Sequence, residues 1–162
     1  AQPALRWPGL RLWGAFGRAP LLDAAQQRIA AHPQLAGRVH LFGKVAHAQV
    51  EVLMRAADLF VSGSHAEGSG YALLEALACD VTPVVTDIPP FRELTGNGAI
   101  GRLWPPGDSE RLAEALMDAW SNRASPGRVR SHFDANLSFA ALGRRWADAY
   151  AQVIGIHARS RS

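Results

Sequence analysis

Short apolar runs alternate along the chain with stretches in which hydrophobic residues recur at helical spacing. The apolar runs predict strands near 10–15, 38–42, 58–62, 82–86 and 99–104. The stretches between them predict helices near 20–32, 47–57, 70–79, 90–95, 109–121 and 138–154, with a turn of helix at 127–134. Strands that alternate with helices are typical of a parallel sheet covered by helices, so the pattern predicts an α/β fold.

The last predicted helix carries an apolar stripe on one face. Five residues at helical spacing form it: Phe139, Leu142, Trp146, Tyr150 and Val153. An amphipathic helix of this kind normally buries its apolar face. We therefore expect the helix to pack back on the core.

Length and composition predict one domain with a hydrophobic core, because the chain has 162 residues of which 48% are hydrophobic. Charge or proline interrupts every apolar stretch well short of a membrane span, and the N-terminus lacks the pattern of a signal peptide. These features predict a cytoplasmic chain. The single cysteine, Cys79, lies among small and apolar residues, which favours a buried structural thiol over a nucleophile.

The charge is mildly basic, with a net charge of +3, and Lys44 is the only lysine. The arginines are scattered along the chain, whereas binding to nucleic acid needs them gathered on one face. The densest group comprises Arg123, Arg128, Arg130, Arg144 and Arg145. This group fits a solvated face, and it also fits a peripheral contact with an acidic membrane surface.

The segment Ser62–Glu75, read as SGSHAEGSGYALLE, carries the candidate chemistry. It follows an apolar run and contains the start of a helical pattern, so its glycines lie where a strand passes into a helix N-terminus. Free amides at such a terminus favour an anion, and glycines allow a ligand close to the backbone. Glu67 and Glu75 flank the turn and can accept hydrogen bonds from hydroxyls. The segment predicts a ligand that carries phosphate and sugar, although the same glycines would also tighten a purely structural corner.

Five segments together resemble one lobe of a known enzyme family. They are LRLWGAFG at 10–17, RVHLFGKV at 38–45, LMRAADLFVSGS at 53–64, EGSGYALLEALACDVTPVVTD at 67–87 and GRLWPPGD at 101–108. In this order and spacing they resemble the C-terminal, nucleotide-sugar-binding domain of the retaining group-1 glycosyltransferases. Those enzymes have the GT-B fold, which consists of two Rossmann-like domains. The resemblance implies that residues 1–162 form a single, partial donor-binding domain.

The resemblance also implies roles for individual residues. Glu67 would contact hydroxyls of the transferred hexose as the catalytic-site carboxylate, and Glu75 would contact the ribose of the nucleotide. The backbone around Gly68, Ser69, Gly70 and Tyr71 would bind the diphosphate, and Lys44 and Val45 would lie beside the base. His65 is a further candidate contact to a sugar or phosphate oxygen, although the family does not fix that position.

The chain departs from the family pattern at several points. Ser69 stands where an aromatic residue is usual, and Asp80 stands where glycine is usual. The family's first strand and helix, with an arginine and a lysine that grip the diphosphate, have no counterpart, and neither does the N-terminal acceptor-binding domain. That missing strand would lie centrally in the sheet. Arg6, Arg11 and Lys44 are other possible sources of positive charge, but none stands at the family position.

The implied reaction moves a hexose from a nucleoside-diphosphate sugar to a glycan or lipid-linked acceptor with retention, without a metal or other cofactor. Asp87 and Glu93 also lie at a strand exit, where ligands of open parallel sheets bind. Glu93 matches a glutamate that is frequent in the family, and capping of a helix N-terminus explains it equally well. The remaining histidines show no metal-ligand spacing. Two alternatives stay open: a nucleotide-sugar epimerase of the same fold, and a noncatalytic nucleotide-sugar-binding module. A lipid-linked acceptor would place the protein at the inner face of the membrane.

Overall fold

The computed structural model describes residue 7 and residues 9–159 of the chain. The strands in this part are β1 (Leu12–Ala15), β2 (Val39–Gly43), β3 (Leu59–Ser62), β4 (Thr82–Thr86) and β5 (Arg102–Trp104). The α-helices are α1 (Leu22–Ala30), α2 (His47–Ala56), α3 (Tyr71–Ala78), α4 (Pro89–Thr95), α5 (Ser109–Ser121), α6 (Arg128–Asn136) and α7 (Phe139–Arg159). A short 3-10 helix, Pro33–Leu35, precedes β2.

The element order agrees with the sequence pattern. Each strand lies where an apolar run predicts one, and the predicted turn of helix at 127–134 is a full α-helix, α6. The side chain of Asp108 caps α5 by accepting hydrogen bonds from the backbone N–H groups of Glu110 and Arg111.

All strand pairing is parallel, but the strands form two sheets rather than the single sheet that the pattern predicts. β1 pairs with β2, and β4 lies between β3 and β5. Among the described residues no strand joins the two sheets. β1 and β3 therefore each have an edge without a pairing partner. The predicted α/β fold with parallel strands and flanking helices is thus confirmed, and its strands are divided between two sheets.

The hydrophobic core belongs to the three-stranded sheet. β4 is buried along its whole length, and every residue classed as buried in the described part of the chain lies at or after Gly70. The larger cluster consists of Leu73, Leu77, Val85, Ile88, Phe91, Ile100 and Val129, and a smaller one of Val84, Trp104 and Ala119. The two-stranded sheet is thinly covered, since Leu12, Trp13 and Phe42 are all exposed.

Contacts at both ends of the sheets connect the thinly covered first part of the chain to the core-bearing part. The rings of Trp7 and Trp120 lie 5.8 Å apart, centroid to centroid, which places the segment before β1 against α5. At the other end of the sheets, His47 at the start of α2 lies beside Glu75 on α3. The second contact bears on the candidate site.

The last predicted helix is present as α7, but the prediction that its apolar stripe packs on the core is wrong. Phe139, Trp146 and Tyr150 are 95%, 62% and 63% exposed, and Leu142 and Val153 are exposed as well. α7 packs against α6, and Ala141 of α7 is buried. Because successive residues turn by about 100° around a helix, Ala141 lies on nearly the opposite side from Phe139. Within the described residues, no helix has the length and apolar character needed to cross a bilayer.

Asp80, in the turn between α3 and β4, adopts a backbone conformation that favours glycine. Its φ of 63° lies in the left-handed region, which costs energy for a residue with a side chain. Its carboxylate offsets this cost by accepting hydrogen bonds from the backbone N–H groups of Gly127 (2.6 Å) and Arg130 (2.8 Å) at the start of α6. Asp80 therefore joins the turn before β4 to a helix nearly fifty residues later.

Candidate active site at the carboxyl edge of the sheet

The loop between β3 and α3 lies at the carboxyl edge of the three-stranded sheet. Ser62 ends β3 opposite Val85 of β4, and Thr86 ends β4 opposite Trp104 of β5. The three strands thus end close together, and the segments that follow them share one edge. Ligands of open parallel sheets bind outside this edge.

Gly70 fixes the path of the loop into α3. It is buried with φ 62° and ψ 36°, and it is the N-cap of α3. A Cβ atom at this position would lie 2.9 Å from Leu94 Cδ1 and 3.3 Å from Phe91 Cε1. Both the conformation and the close approach to α4 therefore require glycine.

The start of α3 offers a row of backbone donors. No described residue accepts a hydrogen bond from the backbone N–H groups of residues 68–72, whereas the carbonyl of Gly70 already accepts from Leu73 and Leu74. Unpaired N–H groups at a helix N-terminus attract anions, and the helix dipole adds to the attraction.

A cavity of about 260 Å³ opens beside these donors. Its lining residues are Phe60, Ser62, Glu67, Ser69, Gly70, Tyr71, Ala72, Leu73 and Phe91. The predicted site residues Glu67, Ser69, Gly70 and Tyr71 are thus brought together around one cavity. Its lining combines apolar side chains, among them Phe60 and Phe91, with the polar groups of Ser62, Glu67 and Ser69, and such a mixture suits a sugar ring with hydroxyls on its edge.

Hydrogen bonds within the loop hold the carboxylate of Glu67. Ser64 Oγ donates to Glu67 Oε1 at 2.7 Å, and Ser62 Oγ lies 3.3 Å from Ser64 Oγ. The carbonyl of Ser64 accepts a 2.5 Å hydrogen bond from Thr86 Oγ1 on β4. Glu67 is exposed, so its remaining acceptor positions face solvent beside the cavity.

Glu75 does not line this cavity. It lies about one helical turn further along α3, where its Oε1 is 3.9 Å from Nδ1 of His47 and its side chain is 41% exposed. Because His47 follows closely on Lys44 and Val45, this contact places the end of β2 near Glu75. The predicted sugar contact, Glu67, therefore lines the cavity, whereas the predicted ribose contact, Glu75, lies beside the start of α2.

The other predicted contacts lie at the periphery. His65 is exposed beside the loop that follows β5, where a Cβ atom on Gly107 would be 3.8 Å from its ring. Gly68 and Lys44 are exposed and do not line the cavity. Arg11 donates a hydrogen bond to the neighbouring carbonyl of Leu10, and Arg6 lies outside the described residues.

Asp87, at the exit of β4, is occupied by an intramolecular partner. Arg92 on α4 donates hydrogen bonds to both of its carboxylate oxygens, at 2.5 and 2.8 Å. These hydrogen bonds lower the pKa of the Asp87 carboxyl and raise the pKa of the Arg92 guanidinium. The pair joins the strand exit to α4 and leaves Asp87 less available to a ligand than Glu67.

Cys79, at the end of α3, is half-buried, and this burial raises the pKa of its thiol. A raised pKa lowers the fraction of reactive thiolate, as expected for a structural cysteine. No group of three or more histidine, cysteine or acidic side chains is arranged to hold a metal ion in the described ranges.

Sequence reasoning missed several residues of the site: Phe60, Ser62, Ser64, Thr86, Phe91 and His47. Ser62 and Ser64 carried a weak signal, because they alternate at a strand exit close to Glu67. Thr86 and His47 carried none, since they meet the site only through the packing of other strands and helices.

Comparison with solved structures identifies the fold. The chain superposes on a pneumococcal O-GlcNAc transferase in complex with UDP and GlcNAc with a TM-score of 0.72, at 19% identity over 94% of this chain and 31% of that chain. It superposes on HepE from Anabaena in complex with UDP with a TM-score of 0.72, at 23% identity over 92% of this chain and 43% of that chain. The fold is thus the α/β architecture of GT-B glycosyltransferases.

Sequence comparison identifies the family. Residues 17–136 match the model of the glycosyl transferases group 1 family, and the chain belongs to that family. A phosphatidyl-myo-inositol mannosyltransferase of Mycobacterium leprae is 28% identical over 124 residues, which are 76% of this chain and 32% of the relative. A GDP-mannose:cellobiosyl-diphosphopolyprenol alpha-mannosyltransferase of Xanthomonas campestris is 36% identical over 103 residues, which are 61% of this chain and 27% of the relative. The chain therefore spans about a third or less of these curated relatives.

Proposed function

We propose that this chain is the donor-binding lobe of a retaining glycosyltransferase. The whole protein would transfer a hexose from a nucleoside-diphosphate sugar to a glycan or lipid-linked acceptor. One observation carries the proposal: a cavity with a fixed carboxylate, Glu67, adjoins a row of unpaired backbone N–H groups at residues 68–72. A hexose and a diphosphate are covalently joined in the donor. The carboxylate suits the hydroxyls of the hexose, and the N–H groups suit the diphosphate.

The second carboxylate, Glu75, supports the proposal that the nucleotide lies on the other side of the diphosphate from the hexose. Glu75 lies beside the start of α2, close in sequence to Lys44 and Val45. In this proposal Glu75 accepts hydrogen bonds from the ribose hydroxyls, and the backbone at residues 43–45 lies beside the base. His47 then lies between Glu75, which contacts the ribose, and the backbone that lies beside the base.

The comparisons are consistent with this donor class. Two structural neighbours were solved with UDP, and one of them also with GlcNAc. The relative from Xanthomonas campestris is named for GDP-mannose and a polyprenol-linked acceptor. A lipid-linked acceptor of that kind would bring this protein to the inner face of the membrane, which we include in the proposal.

The proposed mechanism assigns orientation and charge stabilisation to this lobe. Glu67 orients the hexose by accepting hydrogen bonds from its hydroxyls, and the N–H groups of Ser69, Gly70 and Tyr71 stabilise the charge on the leaving diphosphate. The bond between the anomeric carbon and the diphosphate oxygen breaks while the acceptor oxygen bonds to the same face. The acceptor proton passes to the leaving oxygen. An acceptor-binding lobe of the same protein completes the cleft.

Calorimetric titration of this chain tests the proposal. The ligands are uridine, guanosine and adenosine diphosphates together with their hexose derivatives. We expect one nucleotide to bind and Glu75→Ala to weaken that binding by about 1–3 kcal/mol, because charged hydrogen bonds are lost. Glu114→Ala, which removes an exposed glutamate on α5, should bind as the native chain does.

Two results would contradict the proposal. If no nucleotide binds, the chain is better explained as a noncatalytic assembly module. If a nucleotide binds but Glu75→Ala and Glu114→Ala behave alike, Glu75 has no role at the ribose. Product analysis with the whole protein separates transfer of the hexose from its epimerisation.

A further inference from the structure

The carboxylate of Glu67 stands on a loop, so contacts with neighbouring groups decide how it is held. Glu67 lies in the middle of the loop between β3 and α3, and it is exposed. A free glutamate side chain has several rotatable bonds, and fixing them costs conformational entropy. Without a partner, the carboxylate would lose this entropy each time a ligand binds.

Ser64 supplies such a contact. Its Oγ donates a 2.7 Å hydrogen bond to Glu67 Oε1 across a three-residue span. The acceptor is a carboxylate, so the bond belongs to the stronger, charge-assisted class. It leaves Oε2 and one acceptor position on Oε1 for other donors.

The position of Ser64 is in turn tied to the core of the sheet. Thr86 is 0% exposed in the middle strand β4, and its Oγ1 donates a 2.5 Å hydrogen bond to the carbonyl of Ser64. A buried hydroxyl without a partner is costly, so this hydrogen bond holds the loop against β4. The contact joins residues twenty-two positions apart.

Ser62 extends the chain of hydrogen bonds into the cavity. Its Oγ lies 3.3 Å from Ser64 Oγ, and it lines the cavity together with Glu67. Because the single hydroxyl proton of Ser64 points to Glu67, Ser62 is the donor in the Ser62–Ser64 pair. Donors arranged in series polarise one another, which strengthens the final bond to the carboxylate.

We infer that Ser64 is a positioning residue that holds the Glu67 carboxylate at the hexose subsite, with Thr86 anchoring Ser64 to the sheet. The inference rests on the proposed function for its ligand. If the inference is correct, removal of the Ser64 hydroxyl weakens binding of the hexose and leaves binding of the nucleotide intact. A general loss of structure would weaken both.

The test compares two ligands on one chain. Titrations use the nucleoside diphosphate that binds best and its hexose derivative, on the native chain, Ser64→Ala, Ser64→Thr and the control Ser125→Ala. We expect Ser64→Ala to raise the Kd of the sugar nucleotide about tenfold, as loss of one charge-assisted hydrogen bond implies, and to change the Kd of the free nucleotide less than twofold. Ser64→Thr retains the hydroxyl and should restore most of the affinity. Ser125 is exposed in the connection between α5 and α6 and does not line the cavity, so its variant should match the native chain.

Two results would overturn the inference while leaving the proposed function in place. One is an unchanged affinity of Ser64→Ala for the sugar nucleotide. The other is an equal loss of affinity for both ligands, because that pattern belongs to a residue that only supports the loop.

A measurement without ligand keeps the inference testable if the native chain binds no nucleotide and the proposed function fails. Crystal structures of the native chain and Ser64→Ala would then be compared at Glu67. A single Glu67 rotamer in the native chain and several in the variant would support the positioning contact. The same single rotamer in both would overturn it.

Discussion

Replacing Gly70 with alanine should destabilise the protein at the point where the loop enters α3. Three effects contribute. Forcing a residue with a Cβ atom into the left-handed region costs about 1–2 kcal/mol. The new Cβ atom would lie 2.9 Å from Leu94 Cδ1 and 3.3 Å from Phe91 Cε1, and such overpacking costs about 1–3 kcal/mol. Reduced freedom of the unfolded chain returns about 0.4–1 kcal/mol.

The packing cost should fall in the lower part of its range, because the nearest atom is the end of a flexible leucine side chain. Phe91 is less able to move, since it is only 1% exposed and lies in the larger core cluster. The expected net loss for Gly70→Ala is therefore about 2–3 kcal/mol, which is a large part of the stability of an ordinary domain.

Urea unfolding followed by circular dichroism measures this loss. Gly68→Ala is the matched control, because Gly68 lies in the same loop, has no positive φ, and has no neighbouring atom within 4 Å of the place that a Cβ atom would occupy. We expect the control to change the free energy of unfolding by less than about 0.5 kcal/mol. Equal stability of Gly70→Ala and the native chain, or equal losses in both variants, would refute the reasoning.

Two further predictions concern contacts that join distant segments. Asp80→Ala should lower the free energy of unfolding by about 2 kcal/mol, because it loses the cap on α6 and retains the left-handed strain, whereas Asp80→Gly should lose only about 1 kcal/mol. If Asp80→Ala and Asp80→Gly lose equal stability in chemical denaturation, the left-handed backbone at residue 80 does not destabilise the alanine variant. Arg92→Ala should destabilise the chain at neutral pH but not in acid. The hydrogen bonds from Arg92 lower the pKa of Asp87 in the folded state, so the ionised carboxylate stabilises the fold at pH values above its unfolded pKa of about 3.9. This stabilisation disappears as the pH falls through the folded-state pKa of Asp87. A stability difference that stays constant from pH 7 to about pH 2 would contradict this assignment.

The hydrophobic pattern was sufficient to place the strands and helices, because each element depends on the residues within it. β4 illustrates this: the strand predicted at 82–86 is buried throughout, as expected for a strand covered on both faces. The arrangement of the strands was less accessible. Whether β1 pairs with β3 depends on what lies between them, and periodicity carries no information about that.

The last helix shows the same limit at the level of side chains. The spacing of Phe139, Trp146 and Tyr150 correctly indicates an amphipathic helix, yet these residues are exposed. An apolar stripe specifies that a face is suited to burial and does not specify its partner.

At the candidate site, the sequence predicted the residues of the loop and missed those that hold it. Glu67, Ser69, Gly70 and Tyr71 line one cavity as a contiguous segment should. The roles assigned to Glu67 and Glu75 remain predictions. Thr86 could not be foreseen, because its contact with the loop follows from strand pairing twenty-two residues away. His47 was set aside for lack of metal-ligand spacing, but the structure places it beside Glu75.

A crystal structure of this chain with the sugar nucleotide that binds best would decide whether the carboxyl edge of the sheet is a donor site. We expect the diphosphate on the N–H groups of Ser69, Gly70 and Tyr71, the hexose against Glu67 and the ribose against Glu75. A diphosphate bound away from the N-terminus of α3, or a hexose without contact to Glu67, would contradict the account.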